Sequence, residues 1–153
     1  MRRKDKEIMD RKDLDHIIHN STICHLACSR DNKPYLVPLS FGYDGKSVYF
    51  HTAPSGLKIE TITKNPQVCL AFESEIRLIT NPDQACRWSF EYTSVIASGE
   101  IIEITDLQEK NTALNQIMVH YSGQSWDFPV NELSNTRIWR VPLETISGKH
   151  SPH

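Results

Sequence analysis

The sequence predicts a mainly β protein, a six-stranded antiparallel barrel with short peripheral helices. Two β-rich runs, residues 35–43 and 46–52, flank an Asp44-Gly45 dipeptide, and Asp-Gly supplies the positive φ angles that a two-residue hairpin turn needs. A longer β-rich stretch, residues 88–105, is broken at Gly99, as a bent barrel strand or a tight bend would be. The strands do not alternate regularly with helices, which disfavours a doubly wound parallel sheet. The 153 residues form one expected domain, 1–153, with an N-terminal arm at 1–12 and a frayed tail at 149–153.

The elements follow in order. Asp13 is placed to cap a short helix in which Leu14, Ile17 and Ile18 share a face. Residues 22–28 read as a strand, closed by a polar turn at Arg30-Asp31-Asn32-Lys33. In the Asp44-Gly45 hairpin, alternation puts Val37, Leu39 and Phe41 on one face and Val48 with Phe50 on one face of the partner, so Tyr49 and His51 point the other way. Pro38 implies an edge position or a bulge. Residues 55–64 read as a helix stopped by Asn65-Pro66, 67–73 as a short apolar strand, and 74–87 as a polar loop. Asp106-Leu107-Gln108-Glu109 resembles a capping box opening a helix striped by Leu107, Leu114, Ile117, Met118 and Tyr121 and ended by Gly123. Residues 137–146 supply the final strand.

Composition narrows the function. A formal net charge of -2 leaves no global basic field for nucleic acid or an anionic membrane. The charged opening carries no signal peptide and no membrane-length apolar run follows, so a cytoplasmic protein is expected. Cys24, Cys28, Cys69 and Cys86 lack the spacing of a secreted disulfide framework and read as reduced thiols. Cys24-His25-x-x-Cys28 with His16 and His19 has soft ligands but no second cysteine pair, and no metal is expected. Neither Gly-x-Ser-x-Gly nor Gly-x-Gly-x-x-Gly occurs.

What remains is an anion seat. His51-Thr52-Ala53-Pro54-Ser55-Gly56-Leu57-Lys58 runs from a strand into a helix start, where backbone N–H groups lack partners and carry partial positive charge. Gly56 lets a ligand approach the backbone, and Lys58 adds a full charge in the same turn, which suits a phosphate. The competing reading has Ser55 capping the helix and Lys58 merely solvated. In the hairpin, Pro38, Leu39 and Ser40 would lie across from residues 49–52, offering backbone groups to the rim of a flat heterocycle. His51 is a proton donor beside such a ring, or else a satisfied structural histidine. Tyr92 and Ser94 carry hydroxyls suited to a phosphate or a sugar, within otherwise ordinary strand sequence.

These segments resemble the flavin-binding proteins related to pyridoxamine 5'-phosphate oxidase, in particular the nitroimidazole-resistance (Nim) branch. The resemblance begins at Met1-Arg2-Arg3-Lys4-Asp5-Lys6-Glu7-Ile8 and continues through Pro34-Tyr35-Leu36-Val37-Pro38-Leu39-Ser40-Phe41, Tyr49-Phe50-His51-Thr52-Ala53 and Gly56-Leu57-Lys58. It returns at Asn65-Pro66-Gln67-Val68, Ala85-Cys86-Arg87-Trp88-Ser89 and Tyr92-Thr93-Ser94-Val95-Ile96-Ala97-Ser98-Gly99, and closes with Glu109-Lys110 and Ile146-Ser147-Gly148-Lys149. Lys6 departs from the arginine more usual in the arm. The resemblance implies a six-stranded antiparallel FMN-binding split barrel with short helices, forming a homodimer with flavin at the subunit interface. It implies that Pro38, Leu39, Ser40, His51, Thr52 and Ala53 border the isoalloxazine ring. Gly56 and Lys58 would then hold the phosphate, Tyr92 and Ser94 would reach phosphate or ribityl, and His51 would be the catalytic residue. FMN is the implied cofactor, with FAD as the alternative, and the partner is a small-molecule electron acceptor of nitroimidazole or other aromatic type. A non-catalytic flavin-binding, haem-binding or deazaflavin-binding module is the competing expectation.

Overall fold

Residues 4–151 are described by the computed structural model; residues 1–3 of the expected arm and 152–153 of the expected tail lie outside the described residues. The strands and helices run β1 (Glu7–Ile8), α1 (Arg11–Asn20), β2 (Cys24–Arg30), β3 (Lys33–Leu39), β4 (Gly42–Tyr43), β5 (Ser47–Thr52), α2 (Leu57–Lys64) and β6 (Gln67–Ile79). They continue with β7 (Ser89–Glu100), β8 (Ile102–Ile104), α3 (Leu107–Ser122), α4 (Val130–Asn135), β9 (Arg137–Pro142) and β10 (Thr145–Ser151). All strand pairs are antiparallel. They form a six-stranded sheet, ordered β1-β10-β7-β6-β2-β3, and a four-stranded sheet, ordered β4-β5-β9-β8.

The core lies between the sheets. Leu26, Leu70, Phe72 and Val95 from the larger sheet meet Val48, Phe50, Trp139 and Val141 from the smaller, and Ile17, Ile18, Ile59 and Ile62 join from α1 and α2. Fully burying each such aliphatic or aromatic side chain contributes about 1.5–3 kcal/mol. Helix α3 covers the other face of the smaller sheet, where Ala113 packs on Ile104 and Ile138. No helix among the described residues is long and apolar enough to cross a membrane.

Several local expectations change. Asp10, not Asp13, caps α1, its carboxylate accepting from the Lys12 amide at 2.7 Å. The arm is therefore shorter than 1–12: residues 11–12 are helical, and β1 pairs with β10. Across Asp44-Gly45 only Gly42–Tyr43 pairs with β5. The preceding run, β3, pairs along its length with β2, because the turn at Asp31 (φ 52) and Asn32 (φ 60) is itself a tight hairpin connection. Pro38 does sit on an edge strand, since β3 ends the larger sheet.

Residues 74–79, expected within a loop, extend β6 beyond a bulge between Ser74 and Arg77 in which Glu75 is left-handed (φ 55). The β6–β7 ribbon then projects from the sheet, with Arg77 and Glu91 ion-paired on one face and Leu78 opposite Phe90 on the other. Its polar residues made it read as loop because neither face meets the core. The break in residues 88–105 falls at Ile101 and not at Gly99. Helix α3 has the expected ends, with Asp106 accepting from the Gln108 and Glu109 amides and Gly123 left-handed at φ 70. The final strand divides into β9 and β10, and Lys149–Ser151, expected as tail, pairs with Tyr92–Ser94.

Candidate functional site

Strand β5 delivers His51 and Thr52 to an exposed turn, Ala53-Pro54-Ser55-Gly56, from which α2 starts. Gly56 caps the helix with φ 125, a conformation that L side chains rarely adopt, and a Cβ there would meet nothing within 4 Å. No side chain caps α2, so the reading of Ser55 as its cap is set aside. Among the described residues the amides of Gly56, Leu57 and Lys58 have no hydrogen-bond partner, as an anion seat requires.

Lys58, in that first turn, lies over β2. Burial pushes its ammonium below the ordinary lysine value, and the thiols of Cys24 and Cys28 are its electrostatic neighbours. Burial also pushes the Cys24 thiol up to about 12 and raises Cys28, so both stay protonated at neutral pH and give Lys58 no counter-charge. No hydrogen bond or ion pair engages Lys58 among the described residues. A half-buried cation without a partner, beside free helix-start amides, fits a phosphate; the residues present suit the group that the sequence implied.

The opposite flank of the turn is held by a residue the sequence reading passed over. Arg137, at the start of β9, donates from Nη1 to the Pro54 carbonyl at 3.1 Å, and its Nε and Nη2 grip Glu103 at 2.7 and 2.6 Å. The cavity beside the turn is lined by Ser55, Gly56, Thr63, Lys64 and Arg137. In the sequence Arg137 was only the first residue of a strand, and nothing local marks it.

The other expected residues divide. Leu39 faces inward, buried and in register with Cys24 on β2. Pro38 pairs with His25, and Ser40 is exposed where the chain crosses between sheets; neither lies across from residues 49–52 as expected. Thr52 turns its hydroxyl inward to accept from Trp139 Nε1 at 3.0 Å, leaving only its backbone for a ligand. His51 is exposed, in register with Ile138, and among the described residues its side chain has no hydrogen bond or ion pair, so it is not a satisfied structural histidine there.

Tyr92 and Ser94 lie elsewhere. Core-facing residues of β7 are Thr93, Val95 and Ala97, so Tyr92 and Ser94 face outward, in a shallow groove with Ala71, Glu73, Phe90 and Ile96. Lys149 donates to the Tyr92 hydroxyl at 3.3 Å and lies 5.5 Å over its ring, while Ser94 stands in register between Glu73 and Lys149. At the rim, His25 Nδ1 is 3.5 Å from Glu73. Helix α2 packs on the core side of β2, so within one chain the phosphate turn and the Tyr92–Ser94 groove occupy opposite faces of the same sheet. The sequence reading missed Lys149 because it placed that residue in the tail.

Two antiparallel sheets packed over one core, with a glycine-capped strand-to-helix turn, define a split-barrel class, and the comparisons with known proteins name its family. The family model described as pyridoxamine 5'-phosphate oxidase matches residues 10–150. The chain belongs to this pyridoxamine 5'-phosphate oxidase-related, flavin-binding family. It is similar to a Bacteroides thetaiotaomicron crystal structure provisionally assigned to 5-nitroimidazole antibiotic resistance, with 31% identity, 94% of this chain and 86% of that chain covered, and a TM-score of 0.84. In fold it is also similar to an FAD- and haem-binding protein of Mycobacterium smegmatis, at 18% identity, 97% and 74% coverage and a TM-score of 0.84. An uncharacterized protein of Rhizobium meliloti is 33% identical over 63 residues, which span 41% of this chain and 41% of that relative.

Proposed function

We propose that the chain binds FMN, or FAD through the same phosphate, across a cytoplasmic homodimer and serves as an oxidoreductase for a small aromatic acceptor. The observation that carries this is the half-buried Lys58, unpaired among the described residues, beside the Gly56 helix start. Two copies are invoked because the phosphate turn and the Tyr92–Ser94 groove face opposite ways within one. A single flavin touching both draws Gly56 and Lys58 from one copy and Tyr92 and Ser94 from the other. The four free cysteines agree with a reducing compartment.

The flavin would supply electron transfer at its ring, while the chain's residues bind, orient and protonate. The edge of β3 from Pro38 to Ser40 and the backbone from His51 to Ala53 offer polar rims for the ring. His51, exposed and without a side-chain partner among the described residues, is free to give a proton to an acceptor as it gains electrons. Nitroimidazole reduction is the acceptor chemistry favoured by the likeness to the Bacteroides protein. The chain holds no Gly-x-Gly-x-x-Gly motif, which leaves the electron source open, and a flavin-binding module without turnover is the second reading.

The test is direct. Purified protein is titrated with FMN by fluorescence quenching, reduced with NADH or NADPH, and mixed with a nitroaromatic. Acceptor-dependent reoxidation supports the oxidoreductase; retention of flavin without it supports the module. Lys58→Ala is expected to weaken FMN affinity about tenfold or more, the loss of one charge-assisted contact. Equal affinity in the variant would overturn the phosphate assignment.

A further inference from the structure

We infer that Arg137 is the positioning residue of the phosphate turn, setting where Gly56 presents its amides; this rests on the flavin reading above. A guanidinium has five N–H groups in a fixed plane. Two of those on Arg137 engage both carboxylate oxygens of Glu103 on β8, which fixes the plane. A third, on Nη1, reaches the Pro54 carbonyl at 3.1 Å. Beneath the guanidinium, 4.9 Å from its carbon, lies the Trp139 ring, whose Nε1 holds Thr52 at 3.0 Å.

Arg137 and Trp139, two residues apart on β9, therefore secure the chain on both sides of Ala53. Arg137 fixes Pro54, and Trp139 fixes Thr52. Among the described residues no other side chain hydrogen-bonds to residues 53–55, all of which are exposed. Gly56 follows Pro54 by two residues, and its φ of 125 lies where a free chain would wander. Without the Arg137 bond the turn would sample many conformations before an anion could meet its amides together, and affinity falls by the fraction of chains so arranged. One N–H on Nη1 and one on Nη2 remain unspent, beside the cavity lined by Ser55, Gly56 and Lys64.

Lysine at this position keeps the charge but has no fork to hold Glu103 and Pro54 together. The experiment compares the affinities of FMN and riboflavin, which lacks the phosphate, in the wild type and Arg137→Lys. The expected result is a roughly tenfold loss for FMN with riboflavin unchanged, so that the preference for FMN collapses. In flavin-free protein, the Gly56 and Leu57 amides should also exchange hydrogen several-fold faster in Arg137→Lys, while amides of β6 exchange as before. A parallel loss for both ligands, as a merely structural role would give, overturns the inference, and so does an unchanged preference. A wild type that shows no preference for FMN overturns the phosphate reading itself and this inference with it.

Discussion

At Gly99 the β7 backbone passes so close to β9 that a Cβ would stand 2.0 Å from the Pro142 carbonyl oxygen. Both partners are backbone and neither can step aside. Gly99→Ala is expected to destabilise the protein by about 1–3 kcal/mol, the usual cost of overpacking, seen as a lower urea midpoint. The sequence marked this glycine correctly as a special position but assigned it a bend, because close approach and bending leave the same mark in one chain. Lys58 was legible for a better reason: a glycine and a lysine at a strand-to-helix junction state their chemistry locally. Arg137 and Lys149 were not, since each acts on a segment far away in sequence, 83 and 57 residues distant.

Among the elements, α3 shows how a helix end can depend on pH. His120, near its C-terminus, contacts the Ser21 carbonyl through Nε2 at 2.9 Å and packs between Phe41 and Tyr121. Burial pushes its imidazole below the ordinary histidine value; the Ser21 carbonyl opposes this, and nearby His19 adds to it. The fold therefore refuses a proton that the unfolded chain accepts near pH ~6.5. Stability should be full above that pH and decline as pH falls through it. His120→Gln is expected to flatten this limb in urea midpoints measured from pH 8 to 5.5; an unchanged limb would remove His120 as its cause. Glu103, which the Arg137 guanidinium holds below the usual carboxylate range, acts in a different window, below about pH 4. The ends of α3 were legible in Asp106 and Gly123 because caps are local. Strand pairing was less so: two tight turns, at Asp31-Asn32 and Asp44-Gly45, competed for the run between them, and only packing decides that β3 joins β2 while two residues remain for β5.

For the whole molecule, the outward face of the larger sheet is the feature that asks for a partner. Ile76, Leu78, Phe90 and Ile96 are each at least half exposed and run along the β6–β7 ribbon onto the sheet, and Trp88, just before β7, is half exposed too. An isolated two-stranded ribbon is at best marginally stable in water, and an apolar stripe of this extent is the mark of an interface. A second copy would also complete the proposed flavin site. Light scattering at micromolar concentration should return twice the 17.6 kDa chain mass. Phe90→Asp should return one chain mass with reduced flavin retention and an unchanged far-ultraviolet spectrum. A monomeric wild type would refute the shared site.

The margins of the two sheets decide how such association ends. The larger sheet is bounded by the two residues of β1 and by β3, where Pro34 and Pro38 have no amide hydrogen to offer; the smaller is bounded by the two residues of β4 and the three of β8. None of these borders gives an incoming strand a long unbroken ladder to copy. Lateral addition at these four strands, one route to fibrils, is thereby short of templates even while a greasy plane stays open to water.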